Sequence, residues 1–330
     1  MNSGWPRPPA LACDIPGGVD ILSRSAYMIR RILLIIPTML AIYTITFFLV
    51  HATPGSPWSN QDKPMPKAVV DQLNEAYGLN DPLWKQYLDY LKNVLQGDFG
   101  PSFTSRSRSV ADIISDTFPV SLQLGLVSMV IAVIVGVTLG TIGAVKHNTW
   151  VDYLTSFMAI IGISTPSYVV ASLLVLFLAS YLGLVPTNGW DGVFSLKIII
   201  PALALSFYPS AILARYTRSS LLDVLTTDYV RTARAKGLRN NAVIVRHALR
   251  TSLLPVITVS GVVFADIITG SFFVETISGV PGLGRYFVSS ISTRDYPVVL
   301  GTVLLFGFVI TLMNLIVDLI YPLLDPRMTK

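Results

Sequence analysis

The sequence is short of cysteine and of charge. The 330-residue chain has a single cysteine, Cys13, so it can form neither an internal disulfide nor a cysteine-cluster metal site. Charged residues make up 13% of the chain and hydrophobic residues 52%, a balance that water-soluble domains rarely have. These proportions indicate a membrane protein.

Signatures of several enzyme classes are also missing. The dipeptide Gly-Lys does not occur, which excludes the phosphate-binding loop of Walker-type ATPases. The histidines His51, His147 and His247 lie in separate segments without an HExxH pattern, and no GxSxG elbow is present. We therefore expect no catalysis, no cofactor and no bound metal in this chain.

Long hydrophobic runs, in contrast, are abundant. About 20 apolar helical residues cross the hydrocarbon core of a bilayer, because a helix rises about 1.5 Å per residue. Six stretches are long enough, so the sequence predicts an all-α membrane protein with six transmembrane helices. The stretches cover approximately residues 29–50, 118–145, 153–182, 198–215, 254–274 and 298–321.

Lys and Arg outnumber Asp and Glu by 24 to 19, and the basic residues flank these stretches. They do not form a stripe interleaved with aromatics, so we expect a lipid bilayer and no nucleic acid as partner. Arg30 and Arg31 lie at the start of the first stretch, and a basic segment lies between the fourth and fifth. The positive-inside tendency then places both termini on the cytoplasmic side of the plasma (inner) membrane.

The segment between the first two stretches has a helical pattern of its own. A helix is predicted to begin at Pro82 and to end before Gly97. Its apolar face repeats at helical spacing in Leu83, Tyr87 and Leu91. The predicted parts of the chain are a disordered cytoplasmic extension (1–27), the first transmembrane helix (28–50), an extracytoplasmic helical cap (51–117), a membrane core (118–322) with a cytoplasmic loop (219–250), and a cytoplasmic tail (323–330).

Small residues recur at every fourth position of the second stretch, which lets another helix approach closely in lipid. This packing seam consists of Ser128, Ala132, Gly136, Gly140 and Ala144. It predicts packing against another span of the same chain, and a subunit interface is the alternative.

Asp266, halfway along the fifth stretch, is a candidate contact on a pathway through the membrane, with a structural hydrogen bond as the alternative. Asp318 is expected to be structural and Glu275 to lie at an outer boundary.

The basic segment has the pattern of two helices joined by a turn. Asp228 is placed to cap a helix over residues 229–236, Gly237 supplies a left-handed turn, and a second helix begins near Asn241. The alternative is a solvated loop whose charges only fix the topology. The cap, the glycine and the helical pattern favour a rigid cytoplasmic projection.

The stretch RTARAKG, followed by nine residues and then HALR, resembles the EAA loop of ABC importer permeases. Ala233, Gly237 and Leu249 match that pattern. The departures from it are typical of the dipeptide, oligopeptide and nickel permease family. They are Arg231, Thr232, His247 and Arg250, in place of the usual Glu, Ala, Ile and Pro.

The resemblance to this family covers nearly the whole chain from Met28 onward, through stretches such as PGSPW, GDFGPSF, RYTRSSLLDVL and PGLGRYFV. It implies the type I ABC importer permease fold and four partners: a homologous second permease, two ABC ATPases that bind ATP and Mg²⁺, and an extracytoplasmic binding protein. It also implies that the basic segment couples to the ATPase. The implied coupling residues are Asp228, Arg231, Ala233, Arg234, Lys236, Gly237, Arg239, His247 and Arg250.

Import of di- and oligopeptides by alternating access is the function that the resemblance implies. The same architecture could import nickel, glutathione or oligosaccharides. An ion-coupled secondary transporter is the rival from another class. That class needs charged or broken-helix sites in repeated halves, and the sequence offers Asp266 without a convincing inverted repeat.

Overall fold

A computed structural model describes residues 24–58, 66–105 and 107–324 of the chain. The predicted extension (1–27) lies outside this part except for its last four residues, and the predicted tail (323–330) except for its first two. Within the described part the chain is helical, and its one extended pairing is an isolated bridge between Pro101 and Ser109. The predicted all-α class is confirmed.

The first half of the chain forms long helices separated by a short helical insertion. Helix α1 (Arg24–Ala52) is followed by the insertion, which contains α2 (Lys67–Ala76) and α3 (Leu83–Leu95), and then by α4 (Val110–Val145). After a tight turn come α5 (Trp150–Ser164) and α6 (Ser167–Leu174), which continues as a π-helical turn over Val175–Tyr181.

The second half begins with a 3₁₀ turn (Leu196–Ile198) and α7 (Ile199–Leu225), followed by the short α8 (Asp228–Ala235). Next come α9 (Asn240–Ala242), a π-helical turn (Val243–Ala248) and α10 (Leu249–Gly270), which run on as one helix of 31 residues. The chain then forms α11 (Phe272–Ile277), α12 (Leu283–Thr293) and α13 (Tyr296–Leu324).

Five of the described helices are long and apolar enough to cross a membrane, and there are six if α5 and α6 with its π-helical turn are counted together as one broken span. The two halves of this span are bent by 103°. The break lies at Thr165, which is extended with a ψ of 119°, because a following proline disfavours helical backbone. Pro166 then begins α6, so the third predicted stretch is two helices and not one.

Helices α4 and α7 share the most extensive helix contact in the described part of the chain, and the packing seam lies inside it. A Cβ added to Gly140 would lie 2.4 Å from the carbonyl oxygen of Ala214, and one added to Gly136 would lie 2.8 Å from that of Ser210. Backbone therefore touches backbone along this pair. Every residue of the seam is buried against other parts of the same chain.

The helical insertion is held against the C-terminal half of α1 and the N-terminal half of α13 by aromatic rings. Tyr43 of α1 lies 5.0 Å from the ring of Tyr87 and stacks on Tyr90 at 6.0 Å. Helix α3 follows Pro82 and is terminated near Gly97, whose φ of +81° is left-handed, as the sequence predicts. Near the opposite end of the spans, Arg31 of α1 and Asp318 of α13 form an ion pair.

Candidate functional site

Helix α8, the turn after it and the start of the next helix form a small folded projection, which we call the basic knob (residues 228–250). Helix α8 begins at Asp228, but no side chain caps its N-terminus, so the predicted capping role of Asp228 is wrong. Asp228 instead lies 3.4 Å from Arg231 one turn on, with both side chains exposed. The carboxylate still favours the first turn through the helix dipole.

The turn between the two helices of the knob depends on Gly237. Its φ is +77°, a left-handed value that residues with a Cβ avoid. Its amide donates to the carbonyl of Arg234, and the amide of Lys236 donates to that of Thr232, so the last turn of α8 is closed. The second helix starts at Asn240, next to the predicted Asn241, and runs on without a break through the fifth apolar stretch.

A buried apolar cluster holds the basic knob against the membrane helices. Val230 and Ala233 of α8 pack with Val243 and Ala248 of the π-helical turn. Leu221 of α7 and Ala144 of α4 complete the same cluster. Because Val230, Val243, Ala248 and Leu221 have no exposed surface, the knob is packed and is not a loose loop.

The outer face of the knob is basic and exposed. Arg234, Lys236 and Arg239 form no ion pair with any residue in the described part of the chain, and neither do Arg246 and Arg250. Apolar side chains lie among them, with Val245 63% exposed. His247 is half-buried in the π-helical turn, and Ala233 belongs to the core of the knob. Unpaired cations around exposed apolar groups fit a protein surface that carries negative charge.

An ion pair that sequence reasoning missed lies one helical turn along α7 from the buried cluster of the knob. Asp152, in the first turn of α5, accepts two hydrogen bonds from Arg218 of α7, at 2.6 Å from Nε and 2.9 Å from a terminal nitrogen. The amide of Asn148 donates to the same carboxylate at 3.0 Å, and His147 Nδ1 lies 3.1 Å from it. The sequence did contain a signal for this pair. Asp152 directly precedes the third apolar stretch and Arg218 follows the fourth, so both were predicted to lie on the same side of the membrane.

A cavity of about 480 Å³ lies where the broken span faces α7 and α10. Asp266 lines it together with Thr165 and Pro166 of the break and with Pro209 of α7. The Asp266 carboxylate makes no hydrogen bond or ion pair within the described part of the chain, and the residue is exposed. It is therefore available to a molecule that enters the cavity.

Glu275, in the short helix that follows α10, is fully buried within the protein. Ser121 and Ser271 donate to one carboxylate oxygen at 2.6 and 2.7 Å, and the amide of Arg285 donates to the other at 3.3 Å. A Cβ at Gly282 would lie 2.5 Å from this carboxyl group. The carboxylate thus fixes the start of α12 against α4, and the nearby VPGLG stretch of the sequence supplies the required glycine.

Comparison with known proteins covers most of the chain. Residues 136–330 match the family described as binding-protein-dependent transport system inner membrane component, and residues 25–125 match its N-terminal counterpart. The dipeptide transport system permease protein DppB of Bacillus subtilis is 46% identical over 301 residues, which are 91% of this chain and 97% of that protein. The oligopeptide transport system permease protein OppB of Escherichia coli K12 is 44% identical over 91% of this chain and 98% of its own length.

Solved structures agree on the fold. Two structures of inward facing conformations of the MetNI methionine ABC transporter align with TM-scores of 0.53 and 0.54. Each alignment covers 64% of this chain and 96% of the other, at 15% and 16% identity, which bears on the fold alone. With the matched family covering more than half of its length, the chain belongs to the binding-protein-dependent transport system inner membrane components.

Proposed function

We propose that this chain is one permease subunit of an ATP-driven importer of di- and oligopeptides. The observation that carries the proposal is the packed basic knob with an exposed, unpaired cationic face, in a chain of this family. The relatives are named as dipeptide and oligopeptide transport system permeases, which supports peptides as the cargo.

The partners follow from what the chain lacks. It has no Gly-Lys dipeptide for a Walker loop, so ATP and Mg²⁺ are bound by separate ATPase subunits. We propose that two such ATPases dock on this permease and on a homologous second permease, and that an external binding protein delivers the peptide. The basic knob is the surface on this chain that meets an ATPase.

The rigidity of the knob matters for this role. An ATPase can move the transmembrane helices only through a contact that does not yield, and the buried cluster around Val230 and Val243 provides one. Closure of the ATPases then favours one of two helix arrangements, which gives alternating access. The cavity at Asp266 is the proposed contribution of this chain to the pathway.

The proposed orientation rests on the distribution of basic residues. The knob and the turn at residues 146–149 lie at the same end of the bundle, and we place this end and both termini in the cytoplasm. The helical insertion at α2 and α3 then lies on the extracytoplasmic side, where a binding protein delivers its ligand.

The test is peptide uptake into liposomes that contain this chain, the second permease and both ATPases, with the binding protein added. Reversing charge in the knob with Arg234→Glu and Arg239→Glu should abolish both ATPase docking and ATP-dependent uptake. Lys85→Glu, an exposed charge reversal in α3, serves as the matched control and should leave both intact. Uptake that is driven by an ion gradient without the ATPases would overturn the proposal and favour a secondary transporter.

A further inference from the structure

The ion pair between Asp152 and Arg218 joins two helices that have different neighbours. Arg218 lies one turn before Leu221, the α7 residue that packs against the knob. Asp152 lies at the start of α5, whose other end is the break at Thr165 beside the cavity that contains Asp266. The pair therefore stands between the candidate docking surface and the candidate pathway.

Between this pair and a second contact nearer the break, α5 and α7 are partly separated. A cavity of about 280 Å³ opens there and is lined by Thr155 and Ala159 of α5, by Ala214 of α7 and by Gly140 of α4. Beyond the cavity, the helices touch again where a Cβ at Gly162 would lie 2.5 Å from that of Ala211. In contrast, α4 and α7 are in direct backbone contact, so they form a firm unit against which α5 has room to tilt.

The geometry of the pair suits a connection that resists rotation. The guanidinium of Arg218 presents two nitrogens to two carboxylate oxygens, an arrangement that fixes direction as well as distance. Asp152 is 2% exposed, and a third donor, the Asn148 amide, holds its carboxylate in place. A pair that is shielded from water is also little weakened by salt.

We propose that Asp152 and Arg218 are positioning residues that make α5 follow the movement of α7, so that displacement of the knob reaches the bend beside Asp266. This inference rests on the proposed function, because it assumes that an ATPase moves the knob. Without the pair, α7 moves while α5 stays behind within the space that the 280 Å³ cavity provides. ATP hydrolysis then continues without opening the pathway.

The experiment measures peptide uptake and ATP hydrolysis in the same liposomes with the complete importer and its binding protein. The double variant Asp152→Asn with Arg218→Gln removes both charges and leaves neither of them buried alone. We expect the ratio of peptide transported to ATP hydrolysed to fall about tenfold, within the range of measured couplings between sites. Arg218→Lys keeps the charge but loses the two-pronged contact, and should give an intermediate ratio.

Lys197→Gln is the matched control, since it removes a 2.7 Å ion pair with Asp191 in the loop that precedes α7. Its ratio should equal that of the wild type. A purely structural role for the Asp152 pair would lower uptake and hydrolysis in proportion to the amount of assembled complex, and an unchanged ratio would therefore overturn the inference. If the double variant does not assemble, Arg218→Lys gives the test: a ratio below that of the wild type supports the inference, and an unchanged ratio overturns it. If the wild-type importer itself shows no ATP-dependent uptake, the proposed function has failed instead.

Discussion

Gly237 shows how a single residue can control the geometry of the knob. A Cβ at this position would meet no atom within 4 Å, so the cost of a side chain comes from the φ of +77° alone. We expect Gly237→Ala to destabilise the turn by about 1 kcal/mol. The start of α9 would then shift, and ATP-dependent uptake should fall. Thermal unfolding of the purified chain and uptake by the reconstituted importer measure the two effects.

Gly270 offers a matched control for this change. Its Cβ would also meet nothing within 4 Å, but the residue ends α10 without a positive φ. Gly270→Ala should therefore be neutral or slightly stabilising, because alanine favours helix over glycine. Equal effects of the two substitutions would show that conformation at Gly237 is not the cause.

Asp266 permits a residue-scale test of the pathway. Its carboxylate has no partner in the described part of the chain and lines the cavity at the helix break, so it can bind the ammonium group of a peptide. We expect Asp266→Asn to reduce uptake of peptides with a free amino terminus about tenfold, the effect of losing one charge-assisted hydrogen bond. N-acetylated peptides should be affected much less. An unaltered preference in Asp266→Asn, matching that of the surface variant Asp191→Asn, would remove Asp266 from the pathway.

Between elements, the contact of α4 with α7 depends on the absence of side chains. A Cβ at Gly140 would lie 2.4 Å from a backbone oxygen, which cannot rotate away. We expect Gly140→Ala to push the helices apart and to cost about 1–3 kcal/mol of stability, the usual range for overpacking. Thr138→Leu, on the exposed side of the same helix, enlarges the side chain without this clash. If both variants melt at the same temperature in detergent, close α4–α7 contact is not required.

The sequence predicted long elements better than their breaks. Hydropathy located the apolar stretches, because about 20 apolar residues leave little choice of structure in a bilayer. It did not show that the fifth stretch is continuous with the second helix of the knob, since Arg246 and Arg250 lower hydropathy while the helical hydrogen bonding continues. Hydropathy also missed the 103° bend at Thr165, because it does not register the effect of Pro166 on the backbone before it.

For the whole molecule, the resemblance predicted the family, but the long-range polar contacts could not be read from sequence. Asp152 and Arg218 are 66 residues apart, Ser121 and Glu275 are 154 apart, and no local pattern pairs them. Helical periodicity says which face of a helix is apolar, but not which other helix covers it. The residues of the knob were predictable because its turn and charges are local, whereas the residues that join one part of the molecule to another were not.

The attachment of the outer insertion to the spans is one such long-range contact. The carboxylate of Asp295, which lies just before α13 and is 2% exposed, accepts a hydrogen bond from Ser102 at 2.5 Å. The backbone amides of Phe103 and Thr104 donate to it at 3.1 and 3.0 Å. The ring of Phe103 is thereby held 5.3 Å from that of Trp58, in the aromatic cluster that covers the outer end of α13.

We expect Asp295→Asn to free this loop while the spans remain folded. The side-chain amide of asparagine has one acceptor oxygen, so it can accept fewer of the three hydrogen bonds. A buried donor left without a partner costs about 1–3 kcal/mol. Local opening of residues 101–105 therefore becomes easier, and their hydrogen exchange should accelerate about tenfold or more. Asp98→Asn is the control, because Asp98 is exposed and, among the residues that the structure describes, its side chain accepts only the Gly100 amide at 2.8 Å. Mass spectrometry of the exchanged peptides separates the outcomes. Acceleration confined to Asp295→Asn supports the attachment, and equal exchange in both variants would mean that the aromatic cluster alone holds the insertion in place.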